Sequence, residues 1–423
     1  MKLTVKEGSS NYGCTVVKIN ALLDIEGADK IKRVVVQGNN VIVSKDTPVG
    51  ELMLYFVSGT KLSEDYCHKN NLYEDNTKNR DTTTKGYINS KSRVRAIKLR
   101  GVISDGFIMH MSSLLPFLEV GSIAGLKEGD YFTDINGHSL CEKYFVPARN
   151  GNVGGKAPKQ LGTKVKDIII QNQFRFHFET EHFVRNLNKF SQESEVIITR
   201  KLHGSSLILS NVLVNKALSF KEKVFKFFGG NVPTSEYGMV WSSGKPKSKL
   251  PKGVVSEHNE WNTPNPSFYG ANIWERAYNE IGSKVEKGIS IYAEIVGNSI
   301  QRDLFTYNQD YGIHVFRITS TNVDGNVYEF SWEQVKEYCK KYELTHVQEY
   351  FVGKVKEMVV NDDNLLDYLQ RKYLNKSYPD CVYDEGIVIR LRATDELFKL
   401  KSPNFILQED KSLQNDIQNI EDI

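Results

Sequence analysis

The chain has 423 residues, more than one ordinary hydrophobic core accommodates, so two domains are expected. Hydrophobic residues make up 40% and charged residues 25%, which excludes a disordered chain, and no run of about 18 apolar residues occurs that would predict a membrane-crossing helix. The formal net charge is only +3, so bulk charge alone does not hold nucleic acid. What charge there is sits unevenly, with basic stretches from Arg93 to Arg100 and from Lys156 to Lys166 and an acidic tail after Gln408.

Met1-Lys2-Leu3-Thr4-Val5-Lys6 contains no apolar signal core, and the expectation is a cytoplasmic protein, or one of a host cell's cytoplasm if viral. The five cysteines, Cys14, Cys67, Cys141, Cys339 and Cys381, are scattered and form no C-x-x-C pair. Neither a disulfide framework nor a zinc site is expected from them.

The first third reads as β structure. Val34-Val35-Val36 and Val41-Ile42-Val43 flank Gln37-Gly38-Asn39-Asn40 in a strand–turn–strand pattern. Asn70 to Ser92 is nearly devoid of apolar residues and reads as an exposed loop. In Arg93-Val94-Arg95-Ala96 the basic residues share one face, and in Ile97-Lys98-Leu99-Arg100 the parity inverts, as at a bulge, with Arg100-Gly101 as a closing turn. Such a strand suits a small twisted nucleic-acid-binding barrel, or else is an ordinary solvated edge.

Asn150 to Lys166 shifts to Gly, Pro and Lys without apolar periodicity, the composition of an interdomain linker. Beyond it, strands are predicted over Val196–Lys201, Ile289–Ile295, Ile387–Leu391 and Leu397–Lys401, and helices over Trp332–Tyr342 and Leu365–Leu374. Phe220 to Phe228 reads as an amphipathic helix packed on the domain, in preference to a surface on which RNA stacks. His177 and His182 bracket Glu179, a spacing that admits a metal but with aromatic neighbours fits a packed strand edge better. Glu409 to Ile423 reads as a polar tail that frays or forms a loose helix.

The chemistry centres on Lys201-Leu202-His203-Gly204-Ser205-Ser206, which follows the apolar Val196-Ile197-Ile198. A strand ending in a lysine and a glycine turn sets an amine at a cleft edge, where it can act as a nucleophile once deprotonated; a structural turn reads the same way in isolation. Four signals follow in order. Ile289 to Glu294 alternates, placing Glu294 on the face of Ser290 and Tyr292, where it could accept from a ribose hydroxyl. Gly312-Ile313-His314-Val315-Phe316 offers a ring for a base. Asp384-Glu385-Gly386 is an acidic pair at a strand mouth, suited to magnesium. In Phe398-Lys399-Leu400-Lys401, period-two geometry sends both ammonium groups to one face, the arrangement a phosphate wants.

This ordered set resembles the covalent nucleotidyltransferases, the superfamily of ATP-dependent ligases and capping enzymes, whose six-residue lysine motif is matched by Lys201 to Ser206. Histidine at its third position, Tyr292 to Gly297, Glu385-Gly386 and the Lys399/Lys401 pair look like the RNA ligases. Arg93 to Gly101 and Ser104-Asp105-Gly106 look like the OB module of the RNA ligase 5 clade, which precedes its transferase domain.

The fold implied is α+β: an N-terminal OB-like β-barrel (1–150), a linker (151–166), a nucleotidyltransferase domain of ATP-grasp-like antiparallel sheets with flanking helices (167–408), and the tail (409–423). The resemblance implies that Lys201 attacks the α-phosphorus of ATP and holds AMP, that Glu294 binds ribose and that Phe316 stacks on adenine. It further implies that Lys399 and Lys401 hold phosphate, with His203 and Gly204 also on the nucleotide. Metal falls to Glu385 and Glu294, with Mg2+ expected and Mn2+ as an alternative. RNA with 3′-hydroxyl and 5′-phosphate ends, including a nicked duplex, is the implied partner, met by Arg93, Arg95, Lys98, Arg100 and Lys245.

In Trp241-Ser242-Ser243-Gly244-Lys245, Gly244 stands where the family presents an arginine, so that Lys245 is left to supply the charge. Three rivals remain. A capping guanylyltransferase carries its OB module after the transferase domain, whereas only about 20 residues follow Lys401, too few for a barrel. A DNA ligase shares the chemistry. An RNA-binding OB protein with a degenerate transferase domain would not be expected to keep Lys201, Glu294, Glu385, Lys399 and Lys401 together.

Overall fold

The computed structural model describes residues 1–118, 122–145, 169–178, 180–216, 218–243, 272–301, 305–359 and 364–414. The expected linker at 151–166 lies outside these residues, as do Glu179, Gly244 and Lys245.

The N-terminal part is built from short antiparallel strands. Tyr131–Phe132, Cys14–Lys18, Leu52–Phe56 and Phe107–His110 form one sheet in that spatial order, and the hairpins Ile31–Val36/Asn39–Ser44 and Ala96–Leu99/Val102–Asp105 flank it. Two apolar clusters fill it, one around Val16, Leu54, Phe56 and Phe132 and one around Val17, Val34, Val36 and Val41. The first hairpin turns on Gln37-Gly38 alone, both at positive φ (47° and 71°). A two-residue turn of this kind matches the right-handed twist of its strands, so Asn39 and Asn40 belong to the second strand. Arg100-Gly101, also both at positive φ (49° and 81°), closes the second hairpin as the sequence predicts.

Two expectations here are corrected. The parity inversion in 93–100 involves no bulge: Arg93 bridges Lys61 in isolation, and a regular hairpin strand begins only at Ala96. The polar stretch 70–92 is not wholly exposed. The Asn79 amide bonds both backbone groups of Tyr73 and the Thr84 carbonyl, and the Tyr73 hydroxyl meets Ser92. A loop can bury its polar backbone when side-chain amides satisfy it in this way.

The C-terminal part rests on two five-stranded sheets. One runs Glu181–His182, Glu396–Lys401, Gly386–Leu391, Glu195–Lys201, Glu349–Lys354. The other runs Ser235–Ser242, Ser205–Asn215, Ile289–Val296, Gly312–Thr321, Val327–Glu329. Period-two geometry divides the first sheet cleanly. Val196, Ile198, Ile387, Ile389, Phe398 and Leu400 enter a core with Leu366, Leu369 and Tyr373 of the helix Leu365–Tyr373. The opposite face carries Thr199, Lys201, Val388, Arg390, Lys399 and Lys401. In the second sheet, Leu207, Leu209, Ile291, Ala293 and Ile295 pack into a core with Trp274 of the helix Ile273–Ile281 and with Trp332 and Val335 of the helix Trp332–Lys341. That last helix starts at a Ser331/Gln334 capping box, which satisfies two orphan donors reciprocally.

The helix Phe220–Phe227 departs from expectation. None of its residues is buried, and Phe220, Phe227 and Phe228 are about 80% exposed. It begins beyond Asn215, whose pairing with Ser235 ends the hairpin, so among the described residues no sheet surface lies beneath it. A Ser219/Glu222 capping box and a Lys216–Glu222 ion pair hold its first turn.

At the end of the chain, residues 409–414, expected to fray or to form a loose helix, continue the helix Pro403–Gln414. The cause is Asp410, which is buried, pairs with Arg93 and accepts from the Ala96 amide. The two parts meet at further points. Asn11 bonds the backbone of Thr180 and His182, the Arg185 guanidinium lies 3.5 Å from the Tyr131 ring centre, and Gln370 donates to the Gly38 carbonyl.

Candidate active site

A cleft open to solvent lies between the two sheets. Its walls include Thr199, Lys201, Val388 and Arg390 from the first sheet, Ser206, Glu294 and Phe316 from the second, and His177 from the segment preceding both.

Strand register explains the first wall. Lys201 pairs with Gly386, which pairs with Lys401, and Thr199 pairs with Val388, which pairs with Lys399. Residues directly opposite in antiparallel strands point to the same side, so Lys201, Lys399 and Lys401 share one face. The carboxylate beside them is Glu385, fully buried at the mouth of the Gly386–Leu391 strand. Its Oε2 accepts from Lys201 Nζ at 2.8 Å and its Oε1 lies 3.2 Å from Lys401 Nζ. Gly386, at φ 134°, lets the chain pass the Leu400 carbonyl, which a Cβ would approach to 2.2 Å; only glycine fits.

The second wall is aligned in the same way. Ser206 pairs with Glu294 and Glu294 with His314. Glu294 Oε1 accepts from the Gly204 amide at 2.9 Å and Oε2 from the Ser206 hydroxyl at 3.4 Å, so this carboxylate fixes the turn after Lys201. Between Tyr292/Arg317 and Ala293/Val315 the register slips by one, leaving Phe316 as the extra residue of a bulge. Bulges re-aim side chains beside active sites; here Phe316 is half-buried, packing against the core that takes Val315 and Ile318 while also lining the cleft.

His203 is buried between the Phe305 and Phe405 rings, with Nδ1 3.9 Å from Glu385 Oε2. Of the cations expected to meet RNA, Lys98 and Arg100 are exposed and Arg95 is half-buried. Arg93 is not available to RNA. It is buried, pairs with Asp410 and lies 5.1 Å from the Tyr144 ring centre.

Three features were not foreseen as site residues. His177 contacts Phe316 edge-on at 5.1 Å, and its imidazole is pushed down to about 3 by burial, then by the charges of Arg317, Lys201 and Arg390. Arg390 lies two residues beyond Val388, on the same face. Arg200 is buried and donates to Asp384 and bidentately to Asp380. The Asp384 carboxyl is raised to about 6, chiefly by burial, against the lowering effect of Arg200. Asp384, expected as half of an acidic metal pair, is thus occupied by an arginine. Among the described residues, no three His, Cys, Asp or Glu side chains converge on one point. A metal here would have one or two carboxylates, with phosphate and water completing the shell, as magnesium prefers.

Two sheets enclosing a lysine–carboxylate–lysine row, with an OB-fold unit ahead of them, define an OB-plus-nucleotidyltransferase ligase. Residues 194–401 match the RNA ligase family, and residues 14–111 match an OB-fold domain family. The C-terminal part thus carries an RNA ligase family domain, which supports a ligase enzyme acting in RNA ligation.

Solved structures of Naegleria gruberi RNA ligase share the fold. An apo variant is 16% identical with a TM-score of 0.57, covering 95% of this chain and 99% of that one. A lysine-to-alanine variant with ATP and manganese gives 16% and 0.57, covering 94% and 99%, and the enzyme with pyrophosphate gives 16% and 0.56, covering 94% and 98%. No curated protein sequence matches the chain.

Proposed function

We propose that the chain is an ATP-dependent RNA ligase that joins a 3′-hydroxyl to a 5′-phosphate through AMP held covalently on Lys201. The observation that carries this reading is the convergence of Lys201 and Lys401 on opposite oxygens of the buried Glu385, facing Glu294 and Phe316 across the cleft. The ligand states of the Naegleria enzyme, ATP with manganese and pyrophosphate, are the substrate and product of such a first step.

Lys201 Nζ attacks the α-phosphorus; the N–P bond forms, the bond to the β-phosphate oxygen breaks, and pyrophosphate leaves. The amine must first lose a proton, which the neighbouring charge of Lys401 favours and the Glu385 carboxylate, 2.8 Å away, opposes. Lys399 and Lys401 hold the α-phosphate, Glu294 takes the ribose and Phe316 stacks on adenine. A divalent cation, Mg2+ or Mn2+, supplies oxygen-ligated positive charge on the polyphosphate when bound; Glu385 and Glu294 would hold it. The RNA 5′-phosphate oxygen then displaces Lys201 from the α-phosphorus, and the 3′-hydroxyl attacks the activated 5′-phosphate and expels AMP. Lys98, Arg100 and Arg95 guide the RNA, and mending cleaved RNA in the cytoplasm is the role this chemistry suits.

The test is sealing of RNA with a 3′-hydroxyl and a 5′-phosphate, as single strands and as a nicked duplex, with ATP or GTP and magnesium. ATP-dependent sealing that Lys201→Ala abolishes is the expected result. A GTP-only adduct without sealing would favour a capping guanylyltransferase, and sealing only at deoxyribose ends a DNA ligase.

A further inference from the structure

The ion-paired row at the nucleophile does not stop at Lys401. Lys401 Nζ also lies 3.3 and 3.4 Å from the two carboxylate oxygens of Glu409 and 5.3 Å from the Phe405 ring centre. Phe405 and Glu409 are four apart in the helix Pro403–Gln414 and so share one face, which meets the site. Asp410, one position and about 100° further round, faces the other way. It pairs with Arg93, accepts from the Ala96 amide, and anchors the helix to the OB module. One short helix therefore touches the phosphate-facing lysine with one carboxylate and the OB module with the next.

We propose that Glu409 is a counter-ion that nucleotide phosphate displaces from Lys401, and that Asp410, tied to Arg93 and Ala96 of the OB module, holds Glu409 in place. Both are positioning residues, and the proposal rests on the adenylyltransferase reading above. Without nucleotide, Glu385 and Glu409 balance the ammonium groups of Lys201 and Lys401. When a triphosphate arrives, Glu409 competes with it for Lys401 and repels its negative charge, so occupancy of the site is set against the contact that fixes the OB module.

The experiment measures, in full-length protein, the ATP concentration dependence and the saturating rate of labelled-AMP uptake for the parent, Glu409→Gln, Asp410→Asn and the double variant. Removal of the competing charge is expected to lower the KM for ATP about three-fold or more in Glu409→Gln, with the saturating rate moving less than about two-fold. Asp410→Asn is expected to shift KM the same way, and the double variant to show no more than the larger single effect, because both act through one contact. A KM in Glu409→Gln within about 1.5-fold of the parent, or fully additive single effects, would overturn the proposal. Arg93→Lys replaces Asp410→Asn if thermal melts show the latter misfolded. A parent protein that takes up no AMP would instead sink the activity reading.

Discussion

Gly204→Ala is the sharpest steric test of the turn that presents Lys201. A Cβ at position 204 would lie 2.1 Å from the Ile295 carbonyl oxygen and 2.9 Å from Val296 Cγ1. The first contact is to backbone in the middle of a sheet, so no side chain can rotate away. Opening it to the 3.0 Å that real Cβ atoms keep moves the turn by roughly 1 Å, a displacement that can cost about 100-fold in rate when it falls on reacting groups. The shift also pulls the Gly204 amide from Glu294 Oε1, now 2.9 Å away, loosening the carboxylate assigned to ribose. Overpacking of this kind costs about 1–3 kcal/mol of stability. The assay is labelled-AMP uptake at saturating ATP, paired with urea unfolding. A roughly 100-fold slower uptake with a folded protein is expected; uptake within about three-fold of the parent would show that the turn does not position the lysine.

Phe316→Ala should raise the KM for ATP by about 5- to 150-fold, the equivalent of the roughly 1–3 kcal/mol that base stacking contributes, while Phe316→Tyr should stay near the parent. Lys98→Ala with Arg100→Ala should weaken RNA sealing and flatten its salt dependence by about one unit of log–log slope for each phosphate no longer neutralised, leaving AMP uptake intact; a proportional fall in AMP uptake would argue that these residues support the fold. His177 is held neutral in the folded protein, with its imidazole lowered from 6.5 to about 3. The unfolded chain therefore binds the extra proton between those values, and stability falls as pH drops below 6.5. At pH 5 this amounts to at most about 2 kcal/mol. His177→Gln should lessen the difference between urea unfolding at pH 7 and pH 5, though His182, also depressed by burial, contributes with the same sign. An unchanged difference would mean that His177 is protonated in the folded state.

Much of the site was legible because its residues sit on strands, where period two dictates the face. Lys399 and Lys401 lie opposite Phe398 and Leu400, and the strand and helix bounds around 196–201, 289–296, 332–341, 365–373, 386–391 and 396–401 fall within a residue or two of those predicted. What stayed hidden depends on contacts between distant segments. Alternation along 312–316 gives no sign that Phe316 is a bulge, which only the pairing with Tyr292 and Ala293 creates. Arg93 looked like a surface cation because its partner, Asp410, is 317 positions away in a segment whose composition is that of a tail. The Phe220–Phe227 helix shows the converse: its apolar pattern is that of a packed helix, but none of its residues is buried, because it starts beyond the end of the hairpin's pairing.

The central claim is a covalent bond between one amine and AMP, so the most direct measurement is a peptide map of the protein after incubation with ATP and magnesium or manganese. The account predicts one AMP per chain, on Lys201, released by pyrophosphate and absent in Lys201→Ala. AMP on another residue, or an adduct that survives Lys201→Ala, would contradict it.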